Sequence, residues 1–135
     1  MESLNRTWFI DIDGTIVKHR TNDELDRVIE EMGEESHNFE EILPESLKFV
    51  KNLPEQDTVV LTTARETRHK DHTERLLKSM SFKYDLVIFN LRSGARILIN
   101  DIKPPGVAGN EDPLQTAFAV NVNRDEGIRI VEKSE

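Results

Sequence analysis

The stretch Thr7-Trp8-Phe9-Ile10-Asp11-Ile12-Asp13-Gly14-Thr15 decides the reading of this chain. A short run of aromatic and β-branched residues reads as a buried strand. Asp13-Gly14 closes it, because glycine admits backbone angles that other residues avoid. Two carboxylates, Asp11 and Asp13, therefore stand at the strand's carboxyl end. Working outward, Thr58-Val-Val-Leu-Thr-Thr63 is a second such run, Asp85-Leu-Val-Ile-Phe89 a third, Arg96-Ile-Leu-Ile-Asn100 a fourth and Ala117-Phe-Ala-Val-Asn-Val122 a fifth. Helical patterns lie between them. Leu25, Val28, Ile29 and Met32 share a spacing that Gly33 would stop. Leu47, Phe49, Val50 and Leu53 follow Pro44 and end at Pro54. Leu76, Leu77 and Met80 stripe a charged helix from about Glu66 to Met80. Strands alternating with helices predict an α/β fold: a doubly wound, mainly parallel sheet with helices on both faces.

The chain has 135 residues, enough for one domain with a real core, so residues 1–135 are expected to form a single domain. With 36% hydrophobic and 33% charged residues the composition is that of a globular protein. No apolar run reaches the roughly 20 residues that span a bilayer. The opening residues lack the features of a secretory signal, so a cytoplasmic location is expected. The absence of cysteine excludes disulfides, thiolate nucleophiles and cysteine-based zinc sites, leaving oxygen and nitrogen groups for any chemistry. The net charge of −8 disfavours broad attraction to nucleic acid.

In parallel α/β sheets ligands bind outside the carboxyl ends of the strands. Three of those ends here carry Asp11 and Asp13, Thr63, and Asp101. A carboxylate that attacks phosphorus forms an aspartyl-phosphate, which splits a very slow hydrolysis into two easier steps. The second carboxylate can handle the proton. A magnesium ion between Asp11, Asp101 and the phosphate would offset the anionic charge, since it prefers oxygen ligands.

These residues resemble the haloacid dehalogenase superfamily, whose first motif is an apolar strand followed by Asp-x-Asp-Gly-Thr/Val; Asp11-Ile-Asp-Gly-Thr15 matches it fully. Val59-Val-Leu-Thr-Thr-Ala-Arg65 is similar to the second motif and aligns Thr63, whose hydroxyl would then bond the phosphoryl group. The third motif is a phosphate-stabilising cation, with Arg92 the best match by spacing and Arg96 and Lys83 as alternatives. The fourth is an acidic pair at a strand end. Ile99-Asn-Asp101 departs from it, Asn100 replacing the first acid and Asp101 keeping the ligand position.

The resemblance thus implies a phosphatase with Asp11 as nucleophile, Asp13 as acid and base, and Thr63 and Arg92 on the phosphoryl oxygens. Magnesium would be held by Asp11, Asp101 and the main-chain carbonyl of Asp13. Gly14, Thr15, Ala64 and Arg65 are the substrate-binding candidates. Neither family position for a cap domain has room for one, and residues 16–43 suffice only for a flap and a small helix. An open site calls for a large substrate or for a neighbouring subunit that covers it.

Within the superfamily the Asp-Ile-Asp-Gly-Thr-Ile start and the Thr-Ala-Arg motif are similar to small phosphatases of bacterial surface-polysaccharide biosynthesis. That similarity implies a phosphorylated sugar or nucleotide-linked sugar as substrate. Polynucleotide phosphatase domains share the open site, so a nucleic-acid-end or nucleotide phosphatase is the alternative, which the net charge disfavours. A phospho-ligand binding module without catalysis is disfavoured because Asp11 and Asp13 are both present. His69 and His72, with Arg68 and Lys70, read as a solvated helix face, their i, i+3 spacing differing from the i, i+4 of a histidine metal pair. Lys18-His19-Arg20 reads as a flap or an exposed turn, and Lys103 as a partner for a carboxylate or a solvent-facing cation.

Overall fold

The computed structural model describes residues 4–130. The architecture is α/β: strand β1 (Thr7–Asp11), helix α1 (Asn22–Met32), a 3₁₀ stretch Gly33–Phe39, helix α2 (Pro44–Lys51), strand β2 (Thr58–Thr62), a 3₁₀ turn Thr67–His69, helix α3 (Lys70–Met80) and strand β3 (Leu86–Ile88). The three strands form one parallel sheet in the order β1-β2-β3. β2 is central and buried along Val59, Val60 and Leu61, as expected for a near-continuous apolar run flanked by partners on both sides.

The register aligns Ile10 with Leu61 and Trp8 with Val59, so these side chains share a face. That face meets Val50 of α2 and Leu76, Leu77 and Met80 of α3 in the main hydrophobic cluster. Burying each such side chain stabilises by about 1.5–3 kcal/mol. The opposite face, with Phe9 aligned to Val60 and Leu86, leaves Phe9 and Leu86 exposed. Among the described residues, α2 and α3 pack on the first of these faces.

Segment 16–43 holds one α-helix and reaches the core. Ile16 and Val17 are fully buried in the main cluster. Thr21 and Glu24 then open α1 with a reciprocal capping box, and Gly33 ends it at φ 57, where a side chain would be strained. The 3₁₀ stretch carries the chain from α1 back against α3.

The expected fourth and fifth strands are not formed. Among the described residues the chain beyond β3 holds no helix or strand, and Lys103 with Leu114 makes a single antiparallel bridge. Ile97 and Ile99 are 84% and 91% exposed. Strand propensity reflects fit to a pleated, half-buried surface, so an apolar run without a neighbouring edge gains nothing from it. No helix among the described residues is long and apolar enough to cross a membrane.

Candidate active site

Parallel pairing brings the ends of β1 and β2 to one edge of the sheet. Asp11 lies in register with Thr62, and the Ile12 N–H donates to the Thr62 carbonyl at 3.0 Å. Beyond β2, the Thr63 N–H donates to the Ile88 carbonyl and the Leu91 N–H to that of Thr63, which draws the loop after β3 to the same edge. After β1 the chain folds back on itself. The Ile12 carbonyl accepts from the N–H groups of Thr15, Ile16 and Val17, while the Gly14 N–H donates to Val17 at 2.8 Å. Gly14 sits at φ 77, so the turn requires a residue without a Cβ.

This turn aims Asp13 at β2. Its carboxylate accepts the Thr63 hydroxyl at 3.0 Å, Arg65 Nε at 3.1 Å and Arg65 Nη2 at 2.9 Å. The Thr63 oxygen in turn accepts the Arg65 N–H at 3.0 Å. Asp11 is half-exposed, with Arg96 Nη2 at 3.9 Å from its Oδ1. Burial and the neighbouring Asp13 raise the Asp11 pKa, while Arg96 and His19 pull it down. A half-exposed carboxylate beside another carboxylate is a place where a cation or a polarised phosphorus would be favoured.

Arg65 lies beneath the site and does not face an incoming ligand. Its side chain is 1% exposed and forks onto a second carboxylate, Nη1 and Nη2 donating to Glu40 at 2.7 and 2.6 Å. Nη1 also donates to the Thr73 hydroxyl. Glu40 is shared with His72 Nε2 at 2.6 Å, and His72 Nδ1 meets the Ser36 hydroxyl at 2.6 Å. Burial pushes the Glu40 carboxyl up, but the His72 hydrogen bond and the Arg65 pair outweigh it and bring it to about 2. Ser36, His72 and Glu40 have the composition of a nucleophilic triad. All three are buried and Glu40 is engaged by Arg65, so they serve as a support for Arg65 rather than as a second catalytic centre.

The expectation of a solvated histidine face is corrected accordingly. His72 is buried on Glu40, and His69 is buried with Nε2 on Asp26 at 2.7 Å and Nδ1 accepting the Glu66 N–H. Asp26 is held down at about 2 by its hydrogen bonds from Arg68 and His69. A signal for this burial lies in the spacing. Residues 69, 72, 73, 76, 77 and 80 continue the apolar stripe of α3 at steps of three and four, which places both histidines on the inward face. Glu40 carries no comparable mark, since it precedes α2 in an irregular stretch.

Asp11, Asp13, Gly14, Thr15, Thr63, Ala64 and Arg65 are thus brought to one edge. Among the described residues no ion pair joins Arg92 or Asp101 to them. Arg92 is exposed and its carbonyl accepts from Arg96, so Arg96, the alternative cation, is the one beside Asp11. Lys83 is committed to Asp85 and the Asp57 carbonyl. Asp101 has a side chain 69% exposed with Lys103 at 3.4 Å. Among the described residues no group of three or more histidine, cysteine or acidic side chains gathers as a metal cage. What the edge supplies is a pair of hard carboxylates, and magnesium is commonly bound by one or two carboxylates together with substrate phosphate. The donor chemistry of Asp11 with the Asp13 main-chain carbonyl fits that pattern, and Asp101 as placed does not contribute.

Comparison of the chain with protein-family models, with curated proteins and with solved structures found no match.

Proposed function

We propose that the chain is a cytoplasmic phosphoric monoester hydrolase that works through an aspartyl-phosphate on Asp11, uses magnesium, and acts on a phosphorylated sugar, nucleotide-linked sugar or related polysaccharide precursor. One observation carries this reading: a half-exposed Asp11 at the carboxyl end of a parallel strand, with Asp13 two residues on and held by Thr63 and Arg65 from the loop that follows the adjoining strand. Asp11 Oδ attacks phosphorus as the bond to the leaving oxygen breaks, and Asp13, which enters the cycle protonated, gives that oxygen its proton. Asp13 then takes a proton from the water that cleaves the aspartyl-phosphate, which frees inorganic phosphate and restores Asp11. Arg96 would donate to the phosphoryl oxygens, as would Thr63 once its hydroxyl turns from Asp13, and Arg65 fixes the direction of Asp13. Magnesium, when bound at Asp11 and the Asp13 carbonyl, supplies neutralisation of the phosphate charge.

The same reading completes the sheet as that of a capless haloacid dehalogenase superfamily domain. Among the described residues β1 is paired on one side only, and the apolar runs Arg96–Asn100 and Ala117–Val122 expose Ile97, Ile99, Phe118 and Val120. A stretch this long without secondary structure is uncommon in a compact domain. We propose that the first run can pair with the free edge of β1 and the second with the first, an arrangement that would bring Asp101 to the carboxyl edge beside Asp11.

The test is phosphate release from a panel of sugar, nucleotide and polyol phosphates with magnesium. Wild type should release phosphate, and Asp11→Asn should not, because an amide is neither a competent nucleophile nor an anionic ligand. Full turnover by a folded Asp11→Asn protein, or no hydrolysis of any member of the panel by wild type, would overturn the reading.

A further inference from the structure

The segment Asn123–Ile128 reads in the sequence as part of a polar tail, yet it is locked onto the turn that follows β1. The Asp125 N–H donates to the Gly14 carbonyl at 2.9 Å. The Asp125 carboxylate accepts the His19 N–H at 2.6 Å, across a sequence separation of 106 residues. A second attachment runs through Ser46 of α2, whose hydroxyl donates to the Thr15 carbonyl and accepts the Ile128 N–H at 2.8 Å. The backbone is shaped for this contact. Asp125 and Gly127 stand at φ 64 and φ 87, in the left-handed region that aspartate tolerates and glycine favours. A Cβ on Gly127 would meet Glu45 Cβ at 3.1 Å, and one on Gly14 would meet Arg124 Cγ at 3.1 Å. Two glycines thus permit a close approach of two distant loops.

Gly14 lies beside Asp13, and His19 follows the turn two residues after its last member, Val17. Holding the Gly14 carbonyl and the His19 N–H from one residue limits how far Asp13 can swing relative to Asp11. We infer that Asn123–Ile128 is a clasp on the active-site turn and that Asp125 is a positioning residue acting through Gly14 and His19. The inference rests on the phosphatase reading for its effect on rate, and on the hydrogen bonds alone for its effect on the turn.

Amide hydrogen exchange and steady-state kinetics on the full chain test it together, with p-nitrophenyl phosphate and magnesium as substrate and cofactor. Asp125→Ala should speed exchange at His19 while Leu76 and Leu77 of α3 stay protected, and should lower kcat by about 10- to 100-fold with little change in KM, because small misplacements of reacting groups cost rates of that order. Asp125→Asn should restore both readouts, since its amide oxygen still accepts and asparagine tolerates a left-handed backbone. Gly127→Ala should loosen the same His19 amide from the other side of the clasp. Unchanged His19 exchange and kcat in Asp125→Ala would overturn the inference. So would a uniform loss of protection reaching α3, or an Asp125→Asn variant as impaired as the alanine. A wild-type protein inert toward phosphate esters would count against the phosphatase reading, and the exchange measurements would still decide whether the clasp holds the turn.

Discussion

At the scale of single residues, the proposed site divides into groups that would face a ligand and groups that hold those groups still. Asp11 is the first kind, and Arg65 the second. Asp13 is both, since its carboxylate is aimed by Thr63 and Arg65 and still borders Asp11. Asp13→Asn keeps an acceptor for Thr63 but removes the group that exchanges protons. Turnover is expected to fall by about 10²- to 10⁴-fold with the fold intact. Phosphate release kinetics alongside circular dichroism check this, and a wild-type rate would reassign the proton transfer. Residue types were readable in the sequence where local pattern decides them. Asp11, Asp13 and Thr63 end apolar runs, and such ends face ligands. Arg65 was legible as a cation next to the site, but its direction was not, because the sequence does not show that Glu40 waits beneath it. The same holds for Arg92 and Arg96, four residues apart in one loop: spacing favours the first, whereas the path of the chain places the second beside Asp11.

At the scale of elements, the buried pair of Arg65 and Glu40 ties two parts of the chain that the strand pattern leaves unrelated. Glu40 arrives from the 3₁₀ stretch after α1, and Arg65 from the loop after β2. Breaking a buried ion pair from one side strands part of the other charge, here leaving Arg65 with Asp13 alone, so Glu40→Gln should destabilise by up to roughly 3–5 kcal/mol at neutral pH. The pH dependence has a defined sign. The Glu40 carboxyl falls from an ordinary 4.5 to about 2 in the folded chain, so its stabilisation is complete above about 4.5 and is lost as pH falls towards 2. Urea denaturation of both proteins from pH 7 to pH 2 should show the gap between them closing across that window, and a gap of constant size would exclude the pair as its source. Local signals placed β1, β2, α1, α2 and α3 well, because period, caps and prolines act within a few residues. The charged neighbours Arg68 and Lys70 obscured the inward face of α3, although its spacing of three and four residues was present throughout.

At the scale of the whole molecule, what pattern could not supply is the set of contacts made across long separations. The docking of Asp125 on Gly14 and His19 has no periodic signature, and neither does the choice of partner for an apolar run. Arg96–Asn100 has the composition of a strand, but a ladder needs an edge, and the free edge of β1 is more than eighty residues back along the chain. Loop closure over such distances must precede any gain from pairing. If the run joins β1 in the active enzyme, Asp101 stands at the carboxyl edge and Asn100 points to the other face, since neighbouring strand residues alternate. The two positions should then behave unequally. Asp101→Asn should abolish magnesium-dependent activity, whereas Asn100→Asp should preserve it and tighten magnesium by adding charge nearby. Magnesium titrations of phosphate release in both variants and in Asn100→Ala read the difference directly. Activity that survives in Asp101→Asn but fails in Asn100→Ala would assign the metal to the other residue, and wild-type titrations for all three would show that the run never reaches the edge of β1.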